Sequence, residues 1–212
     1  MKDRLTVEDM RAALEKMGRD MVASAERLRE LDAAAGDGDL GVTMTVGWKA
    51  VQSALPELGQ GDVGSLVAQA GMTFNRAAAS TFGVLLATAM MRAGRELRGL
   101  QEVGLAELAQ AVEAALQGVR ERGKAEVGHK TMLDAMAPAV EALKEAVAKE
   151  QSLSAGLEVA AQAAQRGAEN TAGKKPRYGR AAWLGERATQ VQDPGATAVA
   201  LMLRSLAEFV RG

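Results

Sequence analysis

The stretch Val7-Glu-Asp-Met-Arg-Ala-Ala-Leu-Glu-Lys-Met-Gly-Arg-Asp-Met-Val-Ala-Ser-Ala-Glu-Arg-Leu28 sets the architecture. Val7, Met10, Leu14, Met17, Met21, Ala25 and Leu28 recur every three or four residues, with charges between them. That spacing puts one apolar stripe on an amphipathic helix and predicts a single long helix over 7–28. Thr6 with Asp9 has the spacing of a capping box at its start.

The same period continues along the chain. Gly41 to Ala54 reads as a second helix, stopped by Pro56, and Asp62 to Asn75 as a third with Val63, Leu66, Val67, Ala70 and Phe74 inward. Gly83 to Met91 is apolar on every side, which predicts a central, buried fourth helix. Leu105 to Val119, Leu133 to Val147 (kinked at Pro138), Leu153 to Ala168 and Val199 to Val210 supply the rest. About eight helices with short connections predict an all-α, antiparallel up-and-down bundle or barrel. No alternating run supports a strand. No Pro/Gly/Ser-rich linker divides residues 1–212, so a single domain is expected.

Composition supports this reading. Hydrophobic residues are 48% and charged residues 25%, whereas aromatics are only 3%, so apolar bulk comes from Ala, Leu, Val and 11 Met, a helix-forming mix. The net charge of −1 argues against nucleic acid and anionic membranes as partners. With no cysteine there is no thiol nucleophile or thiolate metal site, and one histidine excludes a multi-histidine zinc centre. The charge-free stretch from Ala77 to Met91 is too short to span a bilayer. The N-terminus lacks the pattern of a signal peptide, and a cytoplasmic chain is expected.

Chemistry is expected in the irregular segments. Leu31-Asp-Ala-Ala-Ala-Gly-Asp-Gly-Asp-Leu-Gly41 carries Asp32, Asp37 and Asp39 among glycines that permit a tight path. At ~4 Å and an effective dielectric of ~20, each pair of carboxylates repels by about 4 kcal/mol, and a helix C-terminus adds to the negative field. A hard cation removes that penalty. An all-oxygen donor set points to Mg²⁺ or Ca²⁺, and the EF-hand pattern fails because no glutamate closes the loop. Mg²⁺ shared with phosphate oxygens fits best; a solvated Asp-Gly turn is the competing reading. Ser80-Thr81-Phe82-Gly83 opens a helix whose free N–H groups suit a phosphate, and Asp193-Pro194-Gly195 is a helix start. Lys124, Lys130, Lys174, Lys175, Arg177 and Arg180 read singly as solvated charges, and His129 as a polar residue at a helix entry. In an up-and-down bundle these connections fall at one end.

Taken in order, Leu-Asp-x4-Gly-Asp-Gly-Asp-x-Gly, then Gly-x-Lys-Thr-Met-Leu-Asp-Ala, then Gly179-Arg-Ala-Ala-Trp-Leu-Gly-Glu-Arg187 with Asp193-Pro-Gly-Ala-Thr197 resemble the nucleotide-binding L subunit of dihydroxyacetone kinases, over nearly the whole chain. The resemblance implies an eight-helix antiparallel barrel that holds ADP or ATP through two Mg²⁺ at one end. It implies Asp32, Asp37 and Asp39 as metal ligands. Leu40, Gly41, Thr43, Ser80, Thr81, Phe82, Gly83, Gly123, Met132, Arg180, Asp193, Pro194 and Gly195 stand at the family's nucleotide positions.

The chain departs from that family's pattern in having Leu40 for a common histidine, Phe82 for a serine and His129 for an aspartate. The implied activity is phosphoryl transfer to dihydroxyacetone held covalently by a separate K subunit. The donor is either exchanging ATP or a resident ADP recharged by a phosphohistidine subunit of the phosphotransferase system. The resemblance leaves a homodimer, another small ketose and a non-catalytic nucleotide-sensing role open.

Overall fold

A computed structural model describes residues 2–59, 61–179, 182 and 188–212. Among these, the chain forms helices α1 (Val7–Ala23), α2 (Ala25–Ala35), α3 (Leu40–Ala54), α4 (Val63–Ala77), α5 (Thr81–Glu96), α6 (Leu105–Gly123), α7 (Leu133–Ala148), α8 (Leu153–Glu169) and α9 (Pro194–Arg211), with a 3₁₀ turn at Leu55–Glu57. From α3 onward each helix packs on its successor; α9 returns to α1, and α1 lies against α3. With α1 and α2 counted as one bent stave, the ring of eight predicted staves closes.

The predicted first helix divides at Ser24 (φ −88°, ψ −1°). Its start is as expected: the Asp9 N–H donates to Thr6 Oγ1, and the Thr6 N–H to Asp9 Oδ2. Met10, Leu14, Met21 and Leu28 of the stripe are buried. Beyond the break, α2 lies against α3 closely enough that a Cβ on Gly41 would sit 2.3 Å from the Ala25 carbonyl oxygen. Only glycine permits that approach.

The structure departs from the sequence reading in two further ways. Helix α5 is not central but one stave of the wall between α4 and α6, and its Met91 is 47% exposed. The run Gly83–Met91 reads as apolar all round because cleft-lining Val84 and Leu85 and exposed Met91 join buried Leu86, Ala87 and Ala89 in it; Gly94 faces the Gly64 carbonyl, where a Cβ would stand at 2.4 Å. A two-residue ribbon, β1 (Leu5–Thr6) with β2 (Glu102–Val103), pairs antiparallel, Leu5 opposite Val103. It is too short for alternation to show in a sequence.

Pro138 sits inside an uninterrupted α7. Lacking an N–H, it leaves the Asp134 carbonyl without its usual i+4 donor, and the backbone of Gly167 on α8 packs against that carbonyl. In the core, Trp48 and Phe74 meet edge to face at 5.8 Å and 74°. The ribbon and the Lys2 N–H to Val210 carbonyl bond tie one end of the ring; the chemistry-bearing loops gather at the other.

Candidate functional site

The aspartates stand where α2 hands over to α3. Asp32, Asp37 and Asp39 each bring a carboxylate oxygen within 4.8 Å of the other two. Gly38 takes φ +78° to make the turn. Asp32 Oδ2 accepts the Leu40 N–H at 3.0 Å, so this carboxylate meets the positive start of α3 as well as the negative end of α2. The start of α3 offsets the repulsion that the end of α2 adds. Burial, and after it the charge of Asp32, pushes the Asp39 carboxyl above the usual carboxylate range. The donor set is all oxygen, and the strain on Asp39 is the strain a bound divalent cation relieves. The Leu40 side chain is core, 5% exposed, so it is the Leu40 backbone that faces the cluster; Thr43 is nearly buried one turn on.

A cleft of about 500 Å³ opens between the start of α5 and the end of α6. Ser80, Thr81, Gly123 and Met132 line it, with Val84, Leu85, Val119 and Leu133 as apolar walls and Tyr178 and Gly179 on the rim. Such walls suit a flat heterocycle with few polar contacts. Ser80 caps α5, its Oγ accepting the Gly83 N–H at 3.0 Å. Phe82 and Gly83 are not among the lining residues. The Phe82 ring turns toward the core and Gly195, and a Cβ on Gly83 would stand 2.4 Å from the Ala78 carbonyl oxygen.

Asp193 begins α9, its Oδ1 accepting the Ala196 N–H at 2.7 Å, with Pro194 buried in the first turn. Burial raises its carboxyl to about 7; the Ala196 N–H opposes this, the charge of Asp134 adds to it, Lys130 opposes, and Asp32 adds the last increment. Arg180 lies outside the described residues.

Two residues of the Gly128-x-Lys-Thr-Met-Leu-Asp-Ala135 motif, neither of them an expected site residue, organise this end. Asp134, 4% exposed, accepts the Gly128 N–H at 2.9 Å and the Thr131 N–H at 3.0 Å and pairs with Lys174 at 3.1 Å. The Thr131-x-x-Asp134 spacing of a capping box was the available signal. Lys130, read as a surface charge, is 2% exposed; its ammonium donates to the carbonyls of Thr171, Thr189 and Val191. His129 accepts the Glu126 N–H on Nδ1 and stacks at 5.3 Å on Tyr178. The connections before α3, α5, α7 and α9 thus converge, as an up-and-down ring requires.

Comparison with known proteins follows the same outline. Residues 34–208 match the DAK2 domain. Over 183 residues, 86% of this chain and 87% of the relative, it is 38% identical to the ADP-binding subunit DhaL of the PEP-dependent dihydroxyacetone kinase of Escherichia coli. It is 36% identical over 202 residues to the D-erythrulose kinase of Mycolicibacterium smegmatis, covering 93% of this chain but 34% of that protein. Among solved structures, the dihydroxyacetone kinase of C. freundii superposes with a TM-score of 0.73 at 27% identity in its native form, and 0.72 at 28% in complex with AMP-PNP and Mg²⁺. Each alignment covers 94% of this chain, which spans about a third of the length of that kinase.

Proposed function

The chain belongs to the DAK2-domain family, and from that membership we propose that it is the nucleotide-binding subunit of a split dihydroxyacetone kinase, passing a phosphoryl group to a small ketose held by a second, K-type subunit. The observation that carries this reading is that three clustered carboxylates and an apolar cleft lie at the same end of the ring, where the loops meet.

Asp32, Asp37 and Asp39 would hold Mg²⁺, two ions by family resemblance. Bound Mg²⁺ supplies neutralisation of the β- and γ-phosphate charge, which phosphoryl transfer needs more than covalent help from the protein. The chain's own residues do the rest. Asp32 is anchored by the Leu40 N–H, so this one carboxylate of the cluster is held in place before the ligand arrives. Val84, Leu85, Val119 and Leu133 remove the base from water. At the start of α5, Ser80 occupies the Gly83 N–H, leaving the N–H groups of Thr81 and Phe82 as the orphan donors of the first turn for a phosphate oxygen. Asp193 fixes the start of α9 beside Phe82.

The donor we favour is a resident ADP that a phosphohistidine protein of the phosphotransferase system recharges. This rests on a relative matched over 87% of its own length, which is named as a PEP-dependent, ADP-binding subunit. Native mass spectrometry of the gently purified chain tests it. A mass of ADP with about two Mg²⁺ that survives dialysis is expected. ADP that exchanges within seconds against labelled ATP makes the chain part of an ATP-using kinase instead. No nucleotide bound at millimolar concentration with Mg²⁺ present overturns both. Incubated with dihydroxyacetone and either MgATP or a phosphohistidine donor, the chain alone should form no sugar phosphate; addition of a K-type subunit should start turnover with the phosphohistidine donor under the favoured reading, and with MgATP if the nucleotide exchanges.

A further inference from the structure

We propose that Lys130 is a positioning residue of the nucleotide end: its buried ammonium clasps the stretch 171–179, which supplies the rim of the cleft, to the stretch 189–193, which leads into α9. The proposal rests on the nucleotide-binding reading above.

The geometry is specific. Lys130 Nζ lies 3.0 Å from the Thr171 carbonyl oxygen, 3.3 Å from that of Thr189 and 2.5 Å from that of Val191. An ammonium has three donors and no acceptor, and three carbonyls receive them. Two backbone donors close the same junction: the Gly173 N–H reaches the Thr189 carbonyl at 2.7 Å, and the Asp193 N–H reaches Thr171 Oγ1 at 2.7 Å. Thr171 Oγ1 in turn donates to the Ala168 carbonyl at the end of α8.

Lys130 itself is held in a conformation that a side chain rarely adopts, φ +60°. Asp134 secures it from both sides through the Gly128 and Thr131 N–H groups, and also pairs with Lys174 inside the clasped stretch. Burial pulls the ammonium toward neutrality; Asp193, and then Asp134, pull it back toward the charged form.

A buried charge is costly unless fully partnered, and an apolar side chain of similar length would fill the same space at lower cost. The position of the acceptors gives the charge its use. None belongs to the regular helices; all three lie on the segment that carries Tyr178 and Gly179 to the cleft rim and Asp193 to the start of α9. Tyr178 reinforces the grip, its hydroxyl donating to the Lys124 carbonyl at 2.7 Å. Removal of the ammonium should loosen the wall and the α9 start together while leaving the ring of helices standing.

The test uses ADP with Mg²⁺ as the probe and hydrogen exchange as an independent readout. In Lys130→Met the amides of Gly173 and Asp193 should exchange faster, and ADP should leave about tenfold faster or more, the loss expected for one hydrogen bond to a charged group. The chain has no cysteine, so Lys130→Cys carries the sole thiol. Aminoethylated in denaturant and refolded, it regains an ammonium and should recover slow release; its carbamidomethylated counterpart should not. Release and exchange in Lys130→Met equal to wild type overturn the proposal. Faster exchange with unchanged ADP release overturns it too, leaving a purely structural clasp. If Lys130→Met does not fold, Lys130→Gln, which keeps an amide donor, takes its place, and wild-type release from it is equally decisive. A wild-type chain that binds no ADP is the separate failure of the functional reading, and it removes the positioning role as well.

Discussion

The ring of Phe82, on the first turn of α5, lies against the first turn of α9: a Cβ built on Gly195 would stand 3.6 Å from two of its ring carbons. Phe82 therefore joins two helix starts at the nucleotide end rather than filling the cleft. Phe82→Ala removes a partly buried ring, where full burial is worth about 3–5 kcal/mol, so a loss of about 1–3 kcal/mol is expected. For a chain of this size that lowers the melting temperature by roughly 2–12 °C. An unchanged thermal melt would show that the contact contributes nothing.

Asp37→Ala should abolish Mg²⁺-dependent nucleotide binding and leave the nucleotide-free fold intact. The variant removes, from an exposed position, one of three carboxylates that repel one another; the Asp32 carboxylate accepts the Leu40 N–H. Asp32→Ala should thus cost apo stability as well, about 1 kcal/mol for the lost bond. Calorimetry with and without EDTA, beside circular dichroism melts, separates the two. Equal nucleotide affinity in Asp37→Ala and wild type would remove the metal role.

Asp193 gives the nucleotide-free chain a pH signature. Its folded carboxyl titrates at about 7, above the ordinary unfolded value near 4, so the folded state binds the extra proton between them. Its contribution to stability is therefore greatest at low pH, falls as pH rises from about 4 to about 7, and reaches its full penalty above that. Asp193→Asn keeps an oxygen for the Ala196 N–H and cannot ionise. It should be about 1–3 kcal/mol more stable than wild type at pH 8, with the difference shrinking toward pH 4. Melting temperatures of both proteins across that range check the sign; a constant difference would rule out titration of Asp193.

Val42 is 60% exposed and Val46 44% on α3, one turn apart and just beyond the aspartates. If the ketose is held by a second subunit, that subunit must cover this end for direct transfer. Val42→Gln, which adds no charge beside the aspartates, should leave folding and nucleotide binding within measurement error, an exposed site rarely shifting stability by more than about 0.5 kcal/mol. Turnover with the K-type subunit should fall several-fold through a higher KM for that subunit. Unimpaired turnover would place the docking face elsewhere.

Helix identity was legible because the 3.6-residue period survives in Val7–Leu28, Leu105–Val119 and Leu153–Ala168 without any help from packing. The break at Ser24 was not legible: the stripe crosses it undisturbed, from Met21 to Leu28. Nor was the peripheral place of α5, since the side chains that line its cleft (Val84, Leu85) or face solvent (Met91) are as apolar as those in the core.

The aspartate cluster could be recognised because its three members lie within eight residues, so chain connectivity alone keeps them close. Lys130 could not, because its acceptors lie 41 to 61 residues away and nothing local distinguishes a buried lysine from a solvated one. The local sequence by itself determined which segments are helical and which short loop concentrates negative charge, both being properties of near neighbours. The tertiary structure decided which loops share an end, which way Phe82 turns and which lysine is taken out of water. Those outcomes depend on closing the ring, and ring closure is settled by contacts between residues far apart in the chain.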